Sequence, residues 1–152
     1  MNTLELNDAL FCLPHFVGTF PCDEIPFVAS RPCSYVINLD EAKKNGSHWT
    51  AIYVDLFNNA TYFDSFGILP FNEKVIQFLN YVSPNQWIFN DVKMQDKRSD
   101  VCGYYCTFFI LLIGKGVALR EFQKLFTDDF KFNDILVKEY VHNYIEQHKK
   151  SH

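Results

Sequence analysis

Apolar residues recur along the chain with two periods, one typical of helices and one typical of strands. Near the start, leucines at positions 4, 6 and 10 predict a short helix with Thr3 as its N-cap. Residues 14–32 contain four prolines and predict a loop with short extended pieces. Tyr, Val, Ile and Phe then concentrate in three predicted strands, at residues 33–39, 49–56 and 61–65. Asn58 and Asn59, between the last two strands, predict a tight hairpin turn.

Helical patterns dominate the second half of the chain. Asn72 is the expected N-cap of a helix that ends at Val82, and residues 86–90 predict a short strand. Residues 101–113 are almost wholly apolar, which is typical of a helix enclosed by other elements. Two amphipathic helices follow, at 118–126 and 132–148, and the second has one apolar face formed by Ile135, Leu136, Tyr140, Tyr144 and Ile145. We therefore expect an α+β fold in which a sheet of four or five strands packs on the helix at 102–113.

Composition limits the class of protein. The 152 residues predict one domain over 1–152, and a content of 48% hydrophobic and 21% charged residues excludes a disordered tail, a collagen-like rod and a coiled coil. A net charge of −4 argues against a protein that coats duplex nucleic acid. The longest apolar run, residues 104–113, is too short to cross a membrane, and the first residues lack the pattern of a signal peptide. The five cysteines therefore indicate free thiols in a reducing compartment and a protein that is not secreted.

One cysteine stands where chemistry is expected. Cys102 lies at the junction between a polar loop and the apolar helix, where free backbone N–H groups and the helix dipole stabilise a thiolate. Gly103 removes a side chain that would crowd an approaching substrate. Gln95, seven residues upstream, carries an amide that can return toward the helix start. Together with the backbone N–H of Cys102 it would form a two-donor oxyanion hole.

A thiolate nucleophile also needs a base and a group that orients the base. His48 begins a predicted strand, and Asp64 ends the next one, so an antiparallel pairing brings them to one edge. Direct opposition requires a turn centred on Leu56, whereas a tight Asn58-Asn59 turn places Asp64 opposite Tyr53. The register is thus open, and contact between the pair needs a longer loop or a bulge.

The order of these residues resembles the adenovirus maturation protease family, the adenains. The likeness consists of His48-Trp49, Asp64-x-Phe66-Gly67, Gln95 and Cys102-Gly103, and it spans residues 14–110 together with Phe16-Val17-Gly18-Thr19-Phe20 and Val36-Ile37-Asn38. It implies a papain-like cysteine protease fold with a central mixed sheet. It also implies that Cys102 is the nucleophile, His48 the general base and acid, Asp64 the orienting acid and Gln95 the oxyanion donor. The family cleaves viral precursor proteins at Gly-Gly-like sites, and Trp49 would narrow the cleft to admit glycine.

Two departures from the family concern its cofactors. The adenovirus enzyme is activated by a peptide disulfide-bonded to a cysteine between the acid and the Gln, and this chain has no cysteine between Cys33 and Cys102. The adenovirus enzyme also uses DNA, and the net charge of −4 argues against DNA activation here. We therefore expect no required cofactor or metal, protein substrates as partners, no membrane binding and a monomer. The expected location is the virion and the host cell interior, in the nucleus or a cytoplasmic virus factory.

Two alternatives remain open from the sequence. SUMO and other ubiquitin-like proteases share the order of His, Asp, Gln and Cys, but their Gln-to-Cys gap is typically one residue shorter, with Asp directly before the Cys. Here that position is Val101, so an isopeptidase is the second hypothesis. A catalytically silent binding module of the same fold is the third. Among single residues, Cys106 is expected in the core, and Asp55 is the rival of Asp64 as the acid.

Overall fold

The computed structural model describes residues 1–27, 30–40 and 48–150, with the side chain of Lys150 left aside. One helix precedes four strands, a second helix and a fifth strand follow, and three helices complete the described chain. The helices are α1 (Thr3–Leu10), α2 (Glu73–Val82), α3 (Cys102–Gly114), α4 (Leu119–Gln123) and α5 (Phe130–Lys150). The strands are β1 (Phe16–Pro21), β2 (Cys33–Asn38), β3 (Trp49–Val54), β4 (Ala60–Phe63) and β5 (Trp87–Phe89). The predicted helices and strands are confirmed, with ends that differ by one to a few residues.

The strands form one mixed sheet in the order β1-β2-β3-β4-β5. The two central pairings are antiparallel, whereas β1 pairs with β2 and β5 with β4 in parallel. β1 lies within the proline-rich segment that the sequence predicts as a loop with short extended pieces. A proline is tolerated there because β1 is an edge strand and Pro21 ends it.

The sheet is covered on both faces, because successive side chains point to opposite faces and both sets are apolar. Val36, Ala51 and Phe63 point to the face that carries α1, α3 and α5. Residues of the opposite parity, Tyr35, Ile37, Ile52, Val54 and Tyr62, pack with α2. The core is therefore divided by the sheet into two layers, and α3 lies at the centre of the larger one.

Helix α3 is enclosed, as its uniformly apolar sequence predicts. Ten of its residues are buried, and Tyr105, Phe109 and Ile110 are fully so. The ring of Phe109 stacks on Phe63 of the sheet, with centroids 4.7 Å apart and planes inclined by 11°. This contact fixes the helix, and with it Cys102, against the middle of the sheet.

Three local predictions are wrong in detail. The N-cap of α1 is Asn2 rather than Thr3, because the Asn2 side chain accepts a hydrogen bond from the Glu5 amide at 2.9 Å. The expected apolar face of α5 is correct only in part: Tyr140, Tyr144 and Ile145 pack against the core, but Ile135 is 57% exposed, and Val137 and Val141 are fully buried in its place. Buried polar residues also orient this helix, since Asp134 of α5 accepts a 2.7 Å hydrogen bond from Tyr105.

The third correction concerns the hairpin between β3 and β4. Its turn is longer than two residues: the Asp55 carboxylate accepts bonds from the amides of Phe57 and Asn59, both at 2.9 Å. Asn58 takes a left-handed conformation, with φ of 63°. The resulting register pairs Ala51 with Phe63, which decides how the two strand ends meet at the site.

Candidate active site

His48 and Asp64 meet at one edge of the sheet, as the sequence predicts. His48 directly precedes β3, and Asp64 directly follows β4. Continued by three residues, the observed register places His48 opposite Phe66, so that Asp64 is its diagonal neighbour. The long histidine side chain covers that diagonal, and its Nε2 lies 3.1 Å from Asp64 Oδ1.

Asp64 is held from several directions. Its carboxylate is buried, at 1% exposure, and Oδ1 also accepts a 2.8 Å hydrogen bond from the backbone N–H of Phe66. The buried side chain of Asn90 bonds both backbone groups of Asp64. The orientation of the carboxylate toward His48 is thus set both by a local contact, from Phe66 two residues away, and by tertiary contacts from Asn90.

Cys102 is the first residue of α3 and is 6% exposed. Its sulfur accepts a hydrogen bond from the backbone N–H of Trp49 at 3.4 Å, and the side chain of His48 lies close enough to lower the pKa of the thiol. The structure therefore brings three of the four predicted residues, Cys102, His48 and Asp64, together at one edge of the sheet.

The electrostatics of this arrangement favour an ion pair. Burial lowers the pKa of His48, but hydrogen bonds to Asp64 and Cys102 and their negative charges outweigh burial and raise it to about 9. Burial raises the pKa of the Cys102 thiol, yet the hydrogen bonds from His48 and from the Trp49 N–H, with the charge of His48, bring it below its ordinary value. A thiolate facing an imidazolium is a nucleophile beside its own general acid.

The ring of His48 also has an aromatic neighbour. Phe66 lies 5.2 Å from it, centroid to centroid, with the planes inclined by 32°. The turn that carries Phe66 is closed by a hydrogen bond from the Gly67 N–H to the Asp64 carbonyl at 2.8 Å. Gly67 has φ of +70°, and a Cβ there would lie 2.8 Å from the carbonyl carbon of Val92, so glycine is required at this position.

Gln95 lies on the loop before α3, buried at 1% exposure. The Ser65 hydroxyl donates a 2.5 Å hydrogen bond to Gln95 Oε1. This bond distinguishes the oxygen of the Gln95 amide from its nitrogen and sets the orientation of the amide. Nε2 donates to the carbonyl and the hydroxyl of Ser99, at 3.1 and 3.0 Å. Both amide hydrogens are thus engaged within the loop, and donation to an oxyanion at Cys102 requires exchange of one of them.

The reason for a glycine at position 103 differs from the expected one. A Cβ on Gly103 would lie 3.1 Å from Cβ of Met1 and 3.5 Å from a methyl carbon of Leu6. The missing side chain therefore makes room for the N-terminal segment and α1, not for a substrate. Met1 also accepts a 3.1 Å hydrogen bond from the indole N–H of Trp49, so this segment lies directly beside the site.

The competing candidates fall elsewhere. Asp55 lies at the far end of β3, in the hairpin turn, and Cys106 is fully buried in the core as expected. Burial raises the pKa of Cys106 well above the ordinary value, which makes it an inert thiol. Within the described ranges, no group of three His, Cys, Asp or Glu side chains is arranged to hold a metal ion. None of the helices in those ranges is long and apolar enough to span a membrane.

Four contributors to the site were missed by the sequence reasoning: Asn90, Ser65, the backbone N–H of Trp49 and the ring of Phe66. Asn90 carried a usable signal, because it ends the predicted strand 86–90 just as Asp64 follows its own strand. Where two parallel strands end side by side, polar residues at their ends meet. The other three depend on the hairpin register, which the sequence left open.

The chain is similar to several known proteins in sequence and in structure. No protein-family model matches the chain. Uncharacterized protein V9 of Sputnik virophage is 29% identical over 128 residues, which cover 72% of each protein. The putative thiol protease R355 of Acanthamoeba polyphaga mimivirus is 24% identical over 164 residues, covering 89% of this chain and 53% of that protein.

The chain is also similar to solved structures, a viral protease among them. The ASFV pS273R protease is 26% identical with a TM-score of 0.51, over 68% of this chain and 44% of that one. ChlaDub1 from Chlamydia trachomatis is 14% identical with a TM-score of 0.64, over 95% of this chain and 89% of that one, which shows a shared fold. The chain is thus a distant relative of the cysteine proteases, with their mixed sheet packed on a buried helix. It spans about half the length of the mimivirus protein and less than half of the ASFV protease.

Proposed function

We propose that this distant relative of the viral cysteine proteases is itself a cysteine endopeptidase. One observation carries the proposal: His48 lies between the buried carboxylate of Asp64, at 3.1 Å, and the sulfur of Cys102. Nothing in the packing of the core requires these three polar groups to meet. Their combined effect, a thiol pKa lowered against the cost of burial, is the condition that a nucleophilic cysteine needs.

The proposed reaction begins with attack of the Cys102 thiolate on a peptide carbonyl carbon. The tetrahedral intermediate that forms collapses when the imidazolium of His48 protonates the leaving amine, which leaves an acyl-enzyme thioester. His48, now neutral, takes a proton from water as the water attacks the thioester, and Cys102 is released as the thiolate. Asp64 keeps the ring oriented throughout and stabilises its charged form.

The start of α3 is the place proposed for the oxyanion. The first backbone N–H groups of a helix have no partner within the helix, so that of Cys102 faces the position of the developing charge. We propose Gln95 as the second donor, because it lies on the adjoining loop and Ser65 orients its amide. The exchange of one Ser99 bond for a bond to the oxyanion would then occur only when the substrate is in place.

The proposed substrates are viral precursor proteins, cut at Gly-Gly-like sites within the virion or the infected cell. The resemblance to the adenain family supports this choice, and so does the position of Trp49. Its backbone N–H bonds the nucleophile, which holds the residue beside the scissile bond, where an indole leaves little room for side chains. We propose that the protein acts as a monomer without DNA.

A cleavage assay tests the proposal. Purified protein is incubated with fluorogenic peptides that contain Gly-Gly or Gly-x-Gly before the scissile bond, and with matched peptides in which alanine replaces each glycine. The expected result is cleavage of the glycine peptides, loss of cleavage in Cys102→Ala, and no change on addition of DNA. Ubiquitin and SUMO probes with C-terminal electrophiles are run in parallel. Reaction with these probes and none of the peptides would make the protein an isopeptidase instead.

A further inference from the structure

Strands β4 and β5 end side by side, one residue short of the site. Their parallel ladder pairs Ala60 with Trp87 at one end and Tyr62 with Phe89 at the other. The next residue after β5 is Asn90, which is fully buried. A buried side-chain amide needs hydrogen-bond partners. Backbone groups just beyond the end of the β4–β5 ladder can provide them, because the ladder no longer pairs them.

The amide of Asn90 bonds both backbone groups of Asp64. Its Oδ1 accepts from the Asp64 N–H at 2.9 Å, and its Nδ2 donates to the Asp64 carbonyl at 2.6 Å. The second hydrogen of Nδ2 is directed to the carbonyl of Val92 at 3.4 Å. One side chain therefore replaces a pair of ladder hydrogen bonds at the residue whose carboxylate orients His48.

We infer that Asn90 is a positioning residue of the active site, which acts through Asp64 and has no contact with the substrate. The Asp64 carboxylate accepts from the Phe66 N–H and the His48 ring, and the Asp64 carbonyl accepts from the Gly67 N–H. The direction of the carboxylate thus follows from the backbone position of Asp64 and the turn after it. Asn90 is the tertiary contact that holds both backbone groups of Asp64 itself, while the carbonyl of Ser65, the next residue, accepts from the amides of Met94 and Gln95. The inference rests on the proposed function for its effect on catalysis, whereas its effect on the Asp64–His48 contact needs no substrate.

Loss of the Asn90 contacts should change the pKa of His48, which can be measured. Asp64 and Cys102 are the titratable groups that raise its pKa. When Asp64 moves away, the pKa of His48 falls from about 9 toward its ordinary value of 6.5, and the thiolate of Cys102 loses its partner. A role limited to stability would leave this titration unchanged in the folded protein.

The same two strands offer a matched control at their other end. Ser83 is buried, accepts a 3.1 Å hydrogen bond from the Ala60 N–H and donates a 2.6 Å bond to the Gln86 carbonyl. It bridges β4 to the start of β5 as Asn90 bridges the ends, but it lies away from the site. Ser83→Ala therefore removes a buried bridge of the same kind without touching Asp64.

The test compares wild type, Asn90→Leu, Asn90→Ala and Ser83→Ala by NMR titration of the histidine rings, with His48 assigned through its missing signal in His48→Gln. Leu keeps the branching of the Asn90 side chain but is larger and makes no hydrogen bond, whereas Ala is smaller, leaves room for water and so protects folding. In either Asn90 variant we expect the pKa of His48 to fall by about one unit and kcat/KM by roughly 10- to 100-fold. Ser83→Ala should titrate as wild type does.

Two results would overturn the inference: an unchanged His48 titration in the folded Asn90 variants, or an equal shift in Ser83→Ala. Failure of the proposed function is seen separately, because the titration needs no substrate. If wild type cleaves no peptide while the Asn90 variants still shift the pKa of His48, the positioning role stands and the protease assignment fails.

Discussion

The Nε2 atom of His48 lies 3.1 Å from Oδ1 of Asp64, although the two residues are not directly opposite each other in the hairpin. The longer turn offsets them by two positions, and the histidine side chain bridges the diagonal. This offset leaves the position opposite His48 to Phe66, whose ring packs on the imidazole. The offset between the two strands thus gives His48 both its hydrogen bond with Asp64 and its aromatic contact with Phe66.

The pH dependence of activity should be bell-shaped. The active form needs Cys102 as thiolate and His48 as imidazolium. On the acid side, kcat/KM rises as the pH passes the lowered pKa of Cys102, and on the alkaline side it falls as His48 loses its proton at about pH 9. The profile is measured with a glycine-containing peptide. A rate that continues to rise beyond pH 10 would contradict the ion pair.

Replacement of Asp64 should impair the base without unfolding the protein. Asp64→Asn keeps the volume but removes the charge that raises the pKa of His48, so we expect kcat/KM to fall about 100-fold or more. Asp55→Asn is the matched control, because Asp55 accepts hydrogen bonds from Phe57 and Asn59 within the hairpin turn at the far end of β3. Equal losses in both variants would show that Asp64 has no special role.

The oxyanion role of Gln95 predicts a specific kinetic pattern. Gln95→Ala should lower kcat about 100-fold and leave KM nearly unchanged, since the bond forms only as charge develops. Ser65→Ala should cause a smaller loss of about 10-fold, because the Gln95 amide remains but is no longer oriented. The exposed Gln86→Ala serves as the control. A wild-type kcat in Gln95→Ala would remove this residue from the mechanism.

The stacked contact between Phe63 and Phe109 should dominate the stability of the larger core layer. Phe109 is fully buried, and Phe109→Ala should lower the free energy of unfolding by about 3–5 kcal/mol. Phe57 is 83% exposed at the hairpin, and Phe57→Ala should change that free energy by less than about 0.5 kcal/mol. Urea denaturation followed by tryptophan fluorescence measures both. Similar midpoints for the two variants would contradict the assignment of the core.

The sequence predicted most elements of the fold because their signals are local. The uniformly apolar segment at 101–113 could only be an enclosed helix, and Asn72 caps α2 as expected, with bonds to the amides of Lys74 and Val75. The face of α5 was predicted only in part, and Ile135 and Leu136 lie outside it. Tertiary hydrogen bonds such as that between Tyr105 and Asp134 also orient this helix, and no periodicity within the helix records them.

The candidate site likewise has a part that local sequence patterns predict and a part that depends on tertiary structure. Cys102, His48 and Asp64 could be found because each stands at the start or end of a predicted element, and Gln95 because it lies on the loop that precedes the helix. The family resemblance supplied their order. The length of the hairpin turn could not be found, since two adjacent asparagines suit a tight turn and the observed one equally well. The contacts that depend on that register, to Ser65, Phe66 and Trp49, were therefore out of reach.

The proposed activity depends on Cys102 as a nucleophile activated by His48, and one labelling experiment tests this most directly. Wild type, His48→Gln and Cys102→Ala are treated at pH 7 with a Gly-Gly peptide that carries a vinyl sulfone in place of the scissile bond. Peptide mapping by mass spectrometry then locates the adduct. We predict a single adduct on Cys102 in wild type, a rate at least about tenfold slower in His48→Gln, and none in Cys102→Ala. Adducts spread over several cysteines, or formed at the same rate without His48, would contradict it.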